Sequence, residues 1–347
     1  MSTSIPTQEG LILEPDSRDT VAAEEPQTYG PLIAIFVAIY FLIAASLYFI
    51  RGGNVISPDK WLIALFIGAV LLGKGVKFLR DWIPFLFLLF GYEFMRGIAG
   101  NVATSDGLTA ESHGRVQIDW LIDWDRKLLW GHDASVWLQQ KLYTPGQSHW
   151  YDAVAAIAYL LHFVYPLIFA FALWLRRRER FWEFSLALLV MSYSAFVFFL
   201  LLPTAPPWMA YDWGMLDGLQ RPSREAFQTL LPGRYDNLDT FTLWTHHSPN
   251  PVAALPSLHA AFPWLVLLFA VRYFGHWGWL MLIYNAAVWF AVIYLGQHWV
   301  IDIIAGIIWA TLSYLLIVRL WPKVEHKMLA RKAATAPKLE PIQASPD

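Results

Sequence analysis

The sequence predicts an all-α fold: a polytopic transmembrane helical bundle carrying extracytoplasmic interfacial helices. Three observations predict it. Hydrophobic residues fill 57% of the 347 positions and charged residues only 15%, with a mean hydropathy of +0.42, a balance foreign to soluble domains. Apolar runs of about 20 residues, the length that crosses a bilayer as a helix, recur along the chain. Many of the 19 tryptophans stand at the ends of those runs, where indole favours the water–bilayer interface. The formal net charge of −2 and the lack of a Gly-rich phosphate loop give no basis for nucleic-acid binding. Without cysteine there are neither disulfides nor thiolate metal sites.

Residues 1–30 are acidic, contain proline and show no periodicity. They lack the basic segment and apolar core of a cleavable signal peptide, and are expected to form a disordered cytoplasmic tail. Roughly eight spans follow on a 20-residue ruler: 31–50, 61–79, 82–99, 151–175, 184–203, 257–273, 278–295 and 299–320. Residues 31–321 are expected to make up the transmembrane catalytic domain, and 322–347 a basic cytoplasmic tail. The run Arg176-Arg177-Arg178, with Arg180 behind it, sets the orientation by the positive-inside rule. Counting outward from it, Lys74, Lys77, Arg80, Arg272, Arg319, Lys323, Lys327, Arg331 and Lys332 also fall inside. The long connections 100–150 and 204–256 then lie outside, as expected for a multi-pass plasma-membrane protein. Within the first, Val116 to Trp130 alternates apolar and polar residues at helical spacing, continued by Trp137, Leu138 and Leu142. Such a segment lies on the outer leaflet, either as a wall around a lipid headgroup or as packing over the bundle.

Two short segments carry chemistry: Ala254-Leu255-Pro256-Ser257-Leu258-His259 and Tyr294-Leu295-Gly296-Gln297-His298-Trp299-Val300-Ile301-Asp302. The orientation, derived from Lys and Arg alone, puts both histidines at outer span ends. Asp302 follows His298 by four residues and so shares its helix face. Two histidines, one oriented by a carboxylate, suit nucleophilic chemistry at phosphorus: one attacks and the other shuttles a proton. Only His298 has a carboxylate one turn away, which favours it as nucleophile. Ser257 and the amides opening span six favour an anion, and Tyr294 completes the expected substrate-binding stretch. Arg96 at the outer end of span three is an intramembrane charge and hence a functional candidate; a structural pair with Glu93 is the alternative. Arg221, Arg224 and Arg234 of the second outer loop are further candidates for a phosphate or headgroup. His162 and Tyr165 sit mid-span before Pro166, where His162 lines a cavity or is a satisfied core histidine. His246-His247 lacks partners at ligand spacing, so no metal or other cofactor is expected.

The order of a Pro-rich span end (Pro203-Thr204-Ala205-Pro206-Pro207-Trp208), an outer loop, Pro-Ser-Leu-His259 and Tyr294…His298…Asp302 resembles the type 2 phosphatidic acid phosphatase superfamily. Ala-x-Pro-Ser-Leu-His with Tyr-Leu-x-x-His-x-x-x-Asp is most similar to the branch that includes inositol phosphorylceramide synthase. Weaker likenesses in Arg80-Asp81-Trp82-Ile83-Pro84, Tyr92-Glu93, Arg96-Gly97, Trp130-Gly131 and Trp137-Leu138-Gln139 extend it over residues 75–320. The superfamily's first motif, a Lys followed at a distance by Arg-Pro, is missing from the end of span five. The Ser-Arg that opens its third motif is here Ala291-Val292. The resemblance implies a phosphohistidine on His298, orientation and charge stabilisation by Asp302, and general acid–base work by His259. It implies a membrane phosphotransferase that moves a phosphoryl or phospho-headgroup unit from a lipid donor, phospholipid or lipid phosphate, to a hydroxyl acceptor. Use of water instead would make it a lipid phosphate phosphatase. A proton-coupled lipid transporter is the alternative of another class; it calls for midplane charges and paired repeats, and the sequence shows neither.

Overall fold

The computed structural model describes residues 58–104, 114–220, 222 and 250–335. The tail 1–30, the expected span 31–50, the arginines 221, 224 and 234, and the pair His246-His247 lie outside these. Among the described residues every regular element is helical, and β pairing is limited to isolated bridges. In chain order the helices are α1 (Pro58–Leu71), α2 (Gly75–Thr104), α3 (Asp119–Leu128), α4 (Ala134–Leu142), α5 (Trp150–Leu161) and α6 (Val164–Arg176). They continue with α7 (Arg178–Leu201), α8 (Pro207–Asp212), α9 (Leu258–Phe274), a 3-10 turn (Gly275–Leu280), α10 (Met281–Tyr294) and α11 (Val300–Thr335).

Gly75–Thr104, Arg178–Leu201, Leu258–Tyr294 and Val300–Lys327 are long and apolar enough to cross a membrane, and α5 with α6, bent by 58°, makes a fifth. The protein is a multi-pass membrane protein. Large apolar side chains face outward from these helices, among them Phe87, Phe94, Leu201 and Ile283, as expected where lipid is the solvent. The stretch Leu258–Tyr294 is not one rod. Gly275, at φ 62°, and the 3-10 turn reverse it, and Asn285 Nδ2 donates to the Pro263 carbonyl at 3.1 Å. Those residues would stand about 33 Å apart in a straight helix.

The expected boundary between 61–79 and 82–99 is corrected. Helix α1 ends at Leu71, and a turn with Gly73 at φ 68° separates it from α2. Helix α2 then runs unbroken through Pro84. A proline inside a membrane helix is tolerated where neighbouring helices support it, and here they do. Phe78 stacks on Trp82 (4.8 Å between centroids), Trp82 meets Phe181 at 5.2 Å, and Phe78 meets Trp174 at 5.6 Å, locking α2 to α6 and α7. At the same end Arg178 donates to both oxygens of buried Asp81 at 2.5 Å, with Trp174 Nε1 at 2.9 Å. Buried Glu183 receives Arg180 at 2.9 Å and the Tyr273 hydroxyl at 2.7 Å. Forked, multiply bonded carboxylates of this kind offset the desolvation that burial imposes.

The opposite end is built around extended chain. The Pro203–Pro207 stretch, which cannot continue α7, lies between two other segments. Ala205 N donates to the Gln117 carbonyl at 3.0 Å, and Thr204 N to Val252 at 2.8 Å. The Thr204 hydroxyl accepts from Leu255 N at 2.8 Å. The segments at Gln117 and Val252 are thereby fastened to the end of α7, beside the helix starts at Leu258 and Val300. Helices α9 and α11 cross there so closely that a Cβ on Gly306 would overlap the Ser257 carbonyl. Gly306→Ala should therefore push the two helix starts apart, lowering the melting temperature in detergent and reducing turnover by about tenfold or more, since ångström-scale misplacement is that damaging to catalysis. An unchanged melting temperature and rate would contradict this crossing.

Candidate active site

Pro256 and Ser257 open α9. The Ser257 hydroxyl caps the helix by accepting from Ala260 N at 3.3 Å, as a serine does at that position. His259 follows in the first turn. Val300 opens α11, and Asp302, in its first turn, reaches back so that its Oδ2 accepts Trp299 N at 2.9 Å; this is the reciprocal half of a capping box. The same oxygen stands 3.2 Å from His298 Nδ1. His298 Nε2 is 2.9 Å from His259 Nδ1. The starts of the two helices are tied directly as well, Ser257 N donating to the Asp302 carbonyl at 3.0 Å.

This chain fixes the tautomers. A carboxylate beside an imidazole accepts, so His298 carries its proton on Nδ1 and presents a lone pair at Nε2. His259 Nδ1 must then be the donor to that lone pair. Asp302 is fully buried and His298 is 4% exposed, so water does not compete for these bonds. His259 Nε2 is buried with no hydrogen-bond partner. The arrangement offers an oriented nucleophilic nitrogen with a proton donor within hydrogen-bonding distance.

His298, Asp302, His259 and Ser257 are thus brought to one place. Arg96, half-buried on α2, lies near enough for its positive charge to act on Tyr159, His162 and His259. The side chain of Glu93 lies outside the described residues, as do Arg221, Arg224 and Arg234. Tyr294 is placed elsewhere. Its hydroxyl donates to Asp152 at 2.5 Å and its carbonyl accepts from Gln139 at 2.6 Å, so it braces α10 against α4 and α5. Arg80 sits at the far end, beside the Arg178 cluster, and Lys74 lies in the turn before α2.

Two contributions were missed by sequence reasoning. Tyr159 stacks on the His259 ring at 4.8 Å with 12° between planes, and its position one turn before His162 was the available signal. Asp125, on the amphipathic α3, is 1% exposed. Its Oδ1 accepts Val300 N and its Oδ2 accepts Ala134 N, both at 2.8 Å. One carboxylate on α3 therefore caps α11 and starts α4. Burial pushes this group up to about 6, against the lowering effect of the two amides and helped by the charges of Asp302 and Asp133.

Residues 119–316 match the PAP2 superfamily, and the chain belongs to that family. Over 297 residues it is 26% identical to the phosphoinositol dihydroceramide synthase of Bacteroides thetaiotaomicron, covering 82% of this chain and 89% of that protein. No solved structure matches it. The protein is accordingly an enzyme acting on lipid phosphate.

Asp125→Asn keeps one acceptor oxygen and strands one of the two amides, which should destabilise the fold by about 1–3 kcal/mol. The folded state holds the Asp125 proton more tightly than the unfolded chain. Its contribution to stability therefore falls as pH rises from about 4 to about 6 and is level above that. Melting curves of the detergent-solubilised protein should show a lower midpoint for the Asn variant and a shallower decline across that window.

Proposed function

We propose that this PAP2 superfamily member is a phosphotransferase that moves a phospho-headgroup from a lipid donor to a lipid alcohol through a phosphohistidine on His298. The observation that carries this reading is the continuous His259–His298–Asp302 relay, at 2.9 and 3.2 Å, with its tautomers fixed by a buried carboxylate.

In the first step the Nε2 lone pair of His298 forms an N–P bond while the P–O bond to the donor's alcohol breaks. His259, entering as imidazolium, gives its Nδ1 proton to the departing oxygen and becomes neutral. In the second step the acceptor hydroxyl attacks phosphorus, its proton passes to His259, and the N–P bond breaks. The cycle closes with both histidines restored. Asp302 stabilises the positive charge that develops on His298 as it bonds to phosphorus. The phosphoryl group takes up the two nitrogens that His259 and His298 now direct at each other. The cation for its oxygens is Arg96, helped by the amides at the start of α9, which compensates for the absent family cations.

Likeness to a phosphoinositol dihydroceramide synthase favours an inositol phosphate headgroup and a dihydroceramide-type hydroxyl as the acceptor over water. The wider setting of this reading is a domain over 31–321 with about eight spans, cytoplasmic tails at 1–30 and 322–347, and a site at the outer face of the plasma membrane. Exposed Trp124, Trp130, Trp137 and Trp150 on and around α3 and α4 support an interfacial position for that segment.

A phosphate-labelled donor lipid should leave an acid-labile, base-stable label on the wild-type protein and none on His298→Ala. Asp302→Asn keeps the imidazole in place but frees its tautomer, and should lower the rate about 10²–10⁴-fold, the range found for other carboxylate-oriented histidines. Wild-type turnover by purified His298→Ala would overturn the assignment. Formation of a phosphorylated lipid alcohol, against release of the free headgroup phosphate, separates transfer from hydrolysis.

A further inference from the structure

Helices α5 and α6 are the two halves of one bent span, and the bend falls at His162 and Phe163. Pro166 explains its place. Proline has no N–H to give the carbonyl four residues back, and its ring crowds that carbonyl; the residue in question is His162. Beyond the last turn of α5, the His162 side chain bonds back into the helix, its Nδ1 lying 2.5 Å from the Tyr159 carbonyl. A carbonyl only accepts, so His162 carries its proton on Nδ1. The ring is 3% exposed, and its centroid lies 3.9 Å from that of His259. For comparison, the hydrogen-bonded rings of His259 and His298 have centroids 5.0 Å apart. The closer pair therefore meets face to ring rather than edge to edge. Tyr159, one helical turn earlier, stacks on His259 at 4.8 Å, and its hydroxyl is 3.5 Å from Gln297 Oε1.

We propose that His162, with Tyr159 beside it, is a positioning residue for the transfer reaction: the two rings of the bent span form a platform that holds the His259 imidazole with Nδ1 aimed at His298. Nothing else in the described contacts fixes that ring. Its Nε2 has no hydrogen-bond partner, and its Nδ1 has only His298, a contact that must open when a phosphoryl group enters between them. A general acid that loses its single hydrogen bond on substrate binding needs another constraint to keep its direction, and ring contact on its face supplies one without consuming a nitrogen. The electron-rich face of Tyr159 also suits the imidazolium that His259 becomes each time it takes up a proton.

The inference rests on the proposed roles of His259 and His298, and the test separates the two. His162→Ala should lower kcat on the natural-type lipid donor by about 10–100-fold, the scale of a misaimed catalytic group, with KM little changed; His162→Phe, which keeps a ring face, should recover most of that loss. The His162→Ala/His259→Ala double variant should be no slower than His259→Ala alone, because His162 acts through His259. A donor analogue with a p-nitrophenolate leaving group needs no general acid, so His162→Ala and His259→Ala should both retain the stoichiometric p-nitrophenolate burst that His298→Ala lacks. Equal loss with both donors, additive losses in the double variant, or no rescue by phenylalanine would overturn the platform. A burst from His298→Ala would instead overturn the mechanism on which it rests.

Discussion

The buried carboxylate of Asp302 is the group on which the site depends, because three structural tasks converge on one residue. Its Oδ2 caps the start of α11 through Trp299 N and orients His298 through Nδ1, and its backbone carbonyl receives Ser257 N from the start of α9. Helix initiation, tautomer choice and the juxtaposition of two helices are therefore one event. His298 cannot be reoriented through this carboxylate without also uncapping the start of α11. Asp125 extends the arrangement outward. By accepting Val300 N and Ala134 N, it makes the first turn of α11 a partner of α3 and α4.

Membrane solvation explains where everything else polar has gone. A charge facing lipid is expensive, and the described carboxylates within the spans answer this with multiple donors. Asp81 has Arg178 and Trp174; Glu183 has Arg180 and Tyr273. These pairs gather at the end of the bundle where α6 and α7 meet. The histidines gather at the other, where α9 and α11 begin. Between the two ends the bundle is held by aromatic and aliphatic packing, which accounts for the use made of a 16% aromatic composition. Proline contributes in two ways. In α2 it is carried within a continuous helix braced by its neighbours, whereas at Pro166 it bends a span beside which the His162 ring meets His259.

The prolines also show why element boundaries were less legible than element types. Hydropathy marks what is apolar, and within 61–99 it separates two apolar runs about the charged stretch Lys74 to Asp81; it does not say at which residue the chain turns. The turn at Gly73 is set by a backbone conformation, and the passage through Pro84 by the aromatic packing of α6 and α7 against α2. Tyr294 makes the same point for a side chain. Its place in the motif suggested the substrate, yet its hydroxyl serves Asp152 and its carbonyl serves Gln139. A residue four positions before a histidine in one motif need not share its partners, because here a turn separates the end of α10 at Tyr294 from the start of α11.

What the sequence by itself determined is whatever depends on composition and on spacing along one helix. Apolar runs of bilayer length imply a helical membrane protein, and the four-residue step from His298 to Asp302 puts ring and carboxylate on one face; both follow from local geometry alone. What only the tertiary structure decided is which separate helices meet, and how closely. The 39-residue separation of His259 and His298 carries no rule that places their nitrogens 2.9 Å apart. The close crossing at Gly306, the extended chain fastened at Thr204 and the carboxylate of Asp125 do that. The same holds for His162, which sequence left as either cavity wall or core. Its ring is set against His259 by a bend whose cause, Pro166, is local but whose direction depends on the helices packed around it.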